Sequence, residues 1–424
     1  MNDPRASQSC KSSGLIDHNF SKEVPANVGT VETSLKVGTG RVCIGSSQVE
    51  GKEDELYVLF RFNADGTQDK SFGTKGSTTG SYGLTKSLGY SVTKLKDDKL
   101  LTIGLTSSNS YFFDGVPALA RFYENGNLDK GFRNEGHLII ERPKKLAQKP
   151  FAATLKDTMS KQQHAAMPVH CQLKPIGDKI LVLANYFGSD TVLMMFDRDG
   201  NPDTRFNKVG YKELESSDDM WLHGLNLHVD DQAILVCARI YNSSGLEQGG
   251  RVISLDLSGE YSVGFGTAGA ANFPADLKMV QNFLVQPNRI IGCGMGENRA
   301  GSLVALDRKG AVDKGFCSQL ERNYSLAWNQ LVALSPGDAE SQILAAGIWN
   351  KGPTAPILLG LFDDSGKLVE QFGDGGLGEI SLGAISTAAR RLEVEDNHKV
   401  LVHCMNADTS TKFHGTIIRC RIDA

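Results

Sequence analysis

A glycine followed six residues later by a phenylalanine occurs seven times in this chain, and that spacing restricts what the polypeptide can fold into. The copies are GLIDHNF (Gly14–Phe20), GTQDKSF (Gly66–Phe72), GNLDKGF (Gly126–Phe132), GNPDTRF (Gly200–Phe206), GEYSVGF (Gly259–Phe265), GAVDKGF (Gly310–Phe316) and GKLVEQF (Gly366–Phe372). Successive glycines are 52, 60, 74, 59, 51 and 56 residues apart. A repeat of that length is one supersecondary unit that buries its apolar face only against its neighbours. A single growing core is therefore not required for 424 residues to fold as one unit, residues 1–424, with an insertion at 141–170 in the third repeat.

Each repeat reads as four short strands. An apolar run such as ELYVLFRF or TVLMMFD enters an Asx-Gly turn, where glycine tolerates positive φ and the Asx side chain bonds nearby backbone. Asp three residues after the glycine (Asp17, Asp69, Asp129, Asp203, Asp313) is expected to accept amides of that connection. The phenylalanine is expected to wedge between sheets, worth about 1.5–3 kcal/mol by burial. Two further strands follow, for example Tyr90–Leu95 and Lys99–Thr106, the second closing on a small residue such as Gly104, Ala184, Ala238 or Gly347. We read those small residues as marking a crowded position near a central axis.

Helical periodicity is nearly absent, so the fold class is all-β: a seven-bladed β-propeller of four-stranded antiparallel blades. The first copy, at Gly14, has no strand before it, and TIIRCRIDA (Thr416–Ala424) ends where another repeat would reach its turn. The N- and C-terminal strands are expected to share one blade, with its outermost strand at about residues 18–30, which removes open sheet edges. The pattern of apolar strand, D/N-G-x-L-D-x-x-F-G-x-x-G, resembles the bacterial delta-60 repeat family over nearly the whole chain. That resemblance implies a propeller-like repeat domain, common in surface or secreted bacterial proteins, and no shared catalytic residues.

Charge and composition exclude several functions. A net charge of −4 offers no long-range attraction to nucleic acid, so no nucleic-acid partner is expected. No run approaches the length of a membrane span, and the N-terminus lacks a basic head followed by an apolar stretch. The expectation is a monomer in the cytoplasm or exported without a leader. Eight cysteines occur without C-x-x-C pairs, and six of them (all but Cys10 and Cys317) lie in predicted strands, as reduced structural thiols.

Chemistry is sparsely marked. There is no G-x-S-x-G, P-loop, strand-linked GxGxxG or H-E-x-x-H. His223 and His228, five apart on a strand, are expected on opposite faces; His164 and His170 lie in the insertion. The DRDGNPD loop makes Asp197, Asp199 and Asp203 the best calcium candidates, with turn chemistry the preferred reading. The insertion carries Lys144, Lys145, Lys149, Lys156 and Lys161, with a short amphipathic helix expected at Phe151–Gln163, and reads as a solvated surface excursion, a partner-docking element or a site for an anionic ligand.

The loops on the face opposite the glycine turns are richer. They bring aromatics and Arg beside Asn: Tyr186, Arg239, Tyr241, Asn242, Asn298, Arg299, Trp349 and Asn350. Flat rings and amides suit recognition of a sugar or peptide, and equally suit capping of blade cores. The three tryptophans, Trp221, Trp328 and Trp349, lie in or near these loops. The expected function is non-enzymatic binding of a glycan, peptide or protein partner through this face, with no catalytic residue and no cofactor assigned. The alternatives are a propeller-type hydrolase or lactonase with a metal on the central axis, and a structural module of a secretion apparatus.

Overall fold

A computed structural model describes residues 15–20, 24–48, 55–108, 115–146, 148–150, 171–320, 325–350, 354–396, 398–408 and 413–422. Blade 1 holds β1 (Val28–Val37), β2 (Gly40–Gln48), β3 (Glu55–Phe62) and β4 (Ser77–Gly80). Blade 2 holds β5 (Lys86–Lys94), β6 (Leu100–Ser107), β7 (Val116–Phe122) and β8 (His137–Ile139). Blade 3 holds β9 (Cys171–Ile176), β10 (Lys179–Ala184), β11 (Val192–Asp197) and β12 (Tyr211–Glu213). Blade 4 comprises β13 (Met220–Val229), β14 (Ile234–Asn242), β15 (Glu247–Leu255) and β16 (Ala270–Asn272). Blade 5 comprises β17 (Leu277–Val285), β18 (Arg289–Gly296), β19 (Gly301–Asp307) and β20 (Val312–Gln319). Blade 6 comprises β21 (Ser325–Ala333), β22 (Ile343–Asn350), β23 (Ile357–Phe362) and β24 (Leu377–Ile380). Blade 7 has β25 (Ser386–Asp396), β26 (Lys399–Ala407) and β27 (Phe413–Arg421). Sheet order follows chain order, all pairs are antiparallel, and each blade packs on the next and the last on the first. The protein is a seven-bladed β-propeller.

The core is divided. Among the described residues, each of the seven interblade interfaces has its own apolar cluster, as a repeat that borrows burial from its neighbours requires. The repeat phenylalanines supply one wedge per interface: Phe72, Phe132, Phe206, Phe265, Phe316 and Phe372 between their own blade and the next, and Phe20 between blades 7 and 1. Phe72 explains why the next repeat must begin with glycine. Gly126 has φ +87°, and a Cβ there would lie 2.6 Å from the Phe72 ring.

The five aspartates take the backbone amide two residues on, at 2.9–3.2 Å, as expected. They also bind cations. Arg61 Nε donates to Asp69 at 2.6 Å and Arg121 Nε to Asp129 at 2.7 Å, while the same guanidiniums lie over Phe72 and Phe132. One arginine thus ties the turn carboxylate to the wedge. The sixth copy differs in that its turn residues are absorbed into β20, which also takes in Cys317. Cys43, Cys171, Cys237, Cys293, Cys404 and Cys420 are buried.

The two ends meet in blade 7. Ile16 bridges Cys420, Asp17 N donates to Arg419 O at 2.8 Å, and Arg421 N donates to Leu15 O at 2.7 Å. Arg419 Nε donates to Asp17 at 2.9 Å and its guanidinium covers Phe20, repeating the Arg61–Asp69–Phe72 arrangement across the chain ends. The expected outermost strand at 18–30 is corrected: Val28 already begins β1, because that innermost strand needs ten residues to reach its turn. The terminal contribution is the glycine turn itself, residues 15–20. The expected helix at Phe151–Gln163, with His164 and His170, lies outside the described residues.

Polar groups reinforce this seam. Glu393 of β25 accepts hydrogen bonds from Ser34 Oγ (2.6 Å), Ser34 N (2.9 Å) and Thr33 Oγ1 (2.9 Å) of β1, and pairs with Arg41 of β2. Burial alone would raise the Glu393 carboxyl, but His403, Arg41 and Ser34 overcome it and hold it far below the usual carboxylate range. A depressed carboxylate stabilises the fold above its ordinary value, and that contribution disappears as pH falls toward the folded value. Glu393→Gln should cost about 3 kcal/mol in neutral urea denaturation and should weaken the acid dependence of stability. Gly126→Ala should cost about 3 kcal/mol, whereas Gly38→Ala, with φ +61° and no neighbour within 4 Å, should cost about 1 kcal/mol. Equal costs would refute the phenylalanine contact.

Candidate axial binding site

The site is made by a defect repeated in the innermost strands. In six of them the pairing with the second strand skips a residue at one common level, Glu32, Tyr90, Leu225, Gln281, Asn329 and Arg390, and β1, β17 and β25 each skip a second one elsewhere, Gly29, Lys278 and Glu395. Each is a β-bulge, which bends the strand and re-aims side chains. Only β9 pairs without a break. The small residues of the second strands stand opposite these bulges. A Cβ on Gly45, Gly104, Gly294 or Gly347 would lie 1.8, 1.9, 1.8 or 2.4 Å from the carbonyl oxygen of Thr30, Leu88, Met279 or Ala327. Their smallness accommodates the bulge, which gives the crowded position inferred from sequence its physical cause.

All six bulge residues line one cavity of 380 Å³ to which all seven innermost strands contribute, so it lies on the ring axis. The residues after the bulges form a polar layer: Thr33, Ser91, Asn226, Asn282, Gln330 and Arg391, with Gln172 from β9. Side-chain amides link blades 4 to 7. Asn226 Nδ2 donates to Asn282 Oδ1 at 2.6 Å, Asn282 Nδ2 to Gln330 Oε1 at 3.3 Å, and Asn329 Nδ2 to Ala389 O at 2.9 Å. Asn329 Oδ1 is buried without a hydrogen-bond partner among the described residues. An unsatisfied buried acceptor is costly, so this atom is a weak point in the amide network.

Most of the charge is arranged in pairs. Glu32 accepts both its bonds from Arg390 Nε, at 3.1 and 2.9 Å. Arg239 donates to Val280 O at 2.7 Å, to Gln281 Oε1 at 2.5 Å and to Tyr241 OH at 3.3 Å, and stands 3.7 Å from Glu247. Burial pushes the Glu247 carboxyl up to about 7, against the pull of Arg239. Glu247 lines a second hollow of 1040 Å³ between blades 4 and 5, with Phe273, Lys278, Met279, Met295 and Arg299. Met279 borders both spaces.

The residues singled out from sequence are dispersed. Arg239 lines the axial cavity and Arg299 the blade 4–5 hollow. Tyr186 is buried and donates its hydroxyl to Ile140 O at 3.0 Å; Tyr241 is buried with its ring edge-on to Trp221. Asn242 caps a turn, accepting the amides of Ser244 and Leu246. Trp349 is half-buried against the blade 5–6 cluster, and Asn350 is exposed at the end of β22. Asn298 lies in the turn Glu297–Arg299. Trp328 is fully buried beside Phe362. Sequence reasoning missed the bulge residues, whose only sequence signal was the run of small residues opposite them.

The calcium candidates are engaged as turn residues. Asp197 accepts the amides of Asp199 and Asn201, as Asp256, Asp307 and Asp363 do at the same place in later repeats. Asp199 pairs with Arg121, and Asp203 with Lys179 and Arg205. His223 and His228 pair with Arg239 and Leu235, four apart, so the bulge at Leu225 puts both on one face, not opposite ones. No three His, Cys, Asp or Glu converge as metal ligands among the described residues.

No protein-family model matches this chain, and no curated protein matches it in sequence. Solved structures do match in shape. The β-propeller domain of the trilobed protease from Pyrococcus furiosus is 9% identical, with TM-score 0.43, over 94% of both chains. The polysaccharide lyase Uly1 is 10% identical, with TM-score 0.48, over 96% of this chain and 92% of its own. The Pyrococcus horikoshii acylaminoacyl peptidase is 9% identical, with TM-score 0.44, over 94% of this chain and 52% of its own.

Glu247 offers a test of the electrostatics. Its raised carboxyl stabilises the fold below the ordinary carboxylate value, and this is lost as pH rises toward about 7. Glu247→Gln should therefore flatten the pH dependence of stability between about 4.5 and 7 in thermal denaturation. An unchanged slope would show that the group titrates normally.

Proposed function

We propose that this propeller is a non-enzymatic binding protein that takes a hydroxyl-rich ligand, the end of a glycan, into its axial cavity. The run of linked amides that lines the cavity, Asn226, Asn282 and Gln330 with Asn329 beside them, is the observation that carries the reading. Amides donate and accept at once, which suits sugar hydroxyls, and the cavity size falls within the range of small-molecule sites. The blade 4–5 hollow, bordered by Met279, extends the contact surface toward Arg299 on the face expected to carry recognition. The seven glycine-to-phenylalanine units, five of them with Asp three residues after the glycine, support placing the chain with the delta-60 repeat proteins. A lactonase-type reading would need several axial carboxylates, whereas Glu32 is the sole carboxylate among the described lining residues and is held by Arg390.

Saturation-transfer NMR against neutral mono- and disaccharides tests this. The wild-type chain should bind at least one sugar, and Asn329→Ala or Gln330→Met should weaken it about tenfold, as loss of one or two hydrogen bonds implies. Absence of binding to every neutral sugar, or unchanged affinity in both folded variants, would reject the reading.

A further inference from the structure

Most cations near the axis are paired. Arg390 is matched by Glu32, Arg41 by Glu393, and Arg239 by Gln281, Val280 O and Glu247. Two are not. Arg391 of β25 lines the cavity, and neither its side chain nor that of Lys174 of β9 has an ion pair or hydrogen bond among the described residues. Lys174 follows the cavity-lining Gln172 by two positions on the one innermost strand without a bulge, so both share a face of β9. Gln172 and Arg391 line the same cavity, so the Gln172 face of β9 turns Lys174 toward the space that Arg391 borders, and burial together with the Arg391 charge pushes the Lys174 ammonium down to about 8. His228 of β13 also feels Lys174, but its own partner Asp230 is taken by Arg308. Two half-buried like charges with no counter-charge cost free energy unless an anion joins them.

We infer that Arg391 and Lys174 form an anion subsite of the axial cavity that receives a carboxylate or phosphate group carried by the ligand. The inference rests on the binding function proposed above and narrows its ligand to an acidic, hydroxyl-bearing molecule such as a uronic acid or a sugar phosphate. Arg391 supplies a planar fork suited to paired anionic oxygens and Lys174 a point charge, which together fit either group.

Isothermal titration of the full chain with glucuronate, inorganic phosphate and glucose at constant ionic strength tests it. Wild type should bind glucuronate or phosphate saturably, and the preferred anion identifies the group. Arg391→Gln and Lys174→Met should each weaken that binding about tenfold or more, and together abolish it. Each variant removes one of two like charges, so its Tm should hold or rise, separating lost binding from lost folding. No binding of either anion, or unchanged affinity in both variants, would overturn the subsite. Glucose binding by wild type with neither anion bound would overturn the subsite alone. Anion binding with neither glucose nor any other neutral sugar bound would instead reject the hydroxyl reading and keep the subsite.

Discussion

The arginine–aspartate–phenylalanine contact at the chain ends is the interaction on which the rest depends. Within blades 1 and 2 the same contact is local: Arg61 or Arg121 at the end of the third strand grips an aspartate eight residues on and covers the repeat phenylalanine. In blade 7 it joins Arg419 to Asp17 and Phe20, residues from opposite ends of the sequence. A local turn has become a long-range closure. Without it, β27 would lose its bridge to Ile16 and the blade 7–1 interface would lose its wedge.

Closure creates the cavity. Seven innermost strands surround one axis only when the ring is complete, and the bulges in six of them decide what the axis presents. The backbone feature is nearly uniform, whereas the residues it displays are not: Glu32, Tyr90, Leu225, Gln281, Asn329 and Arg390 range from a carboxylate through amides and an aliphatic chain to a guanidinium. A scaffold constraint imposed by glycines in the second strands is thus combined with free choice at the positions it exposes. Cross-seam pairs such as Glu32–Arg390 serve both, since they hold blades 1 and 7 together and shape one wall of the cavity.

The sequence made the ring legible because its signals are local. Gly126 and Phe132 mark a turn and a wedge within seven residues, and Asp129 caps the same turn. The blade count and the meeting of the ends followed from counting such units. The terminal strand was misplaced because β1 and the closing turn both draw on residues 15–37, and only the packing of Phe20 divides them. The axial site was illegible for a different reason. A bulge is a property of register between two strands, so Gln281 carries no local mark of its role, and Gly294 opposite it reads simply as a small residue. Tyr186 and Tyr241 were legible as aromatics near loops, but only the structure shows their hydroxyls turned to Ile140 O and Arg239.

Closure of the ring through its two ends is tested most directly by native-state amide hydrogen exchange at the seam. The Asp17 and Arg421 amides donate to Arg419 O and Leu15 O, and they should exchange as slowly as the buried amides of β26, through global unfolding. Rapid exchange of both amides, at the rate of exposed turns while β26 stays protected, would show that the ends do not hold the ring shut.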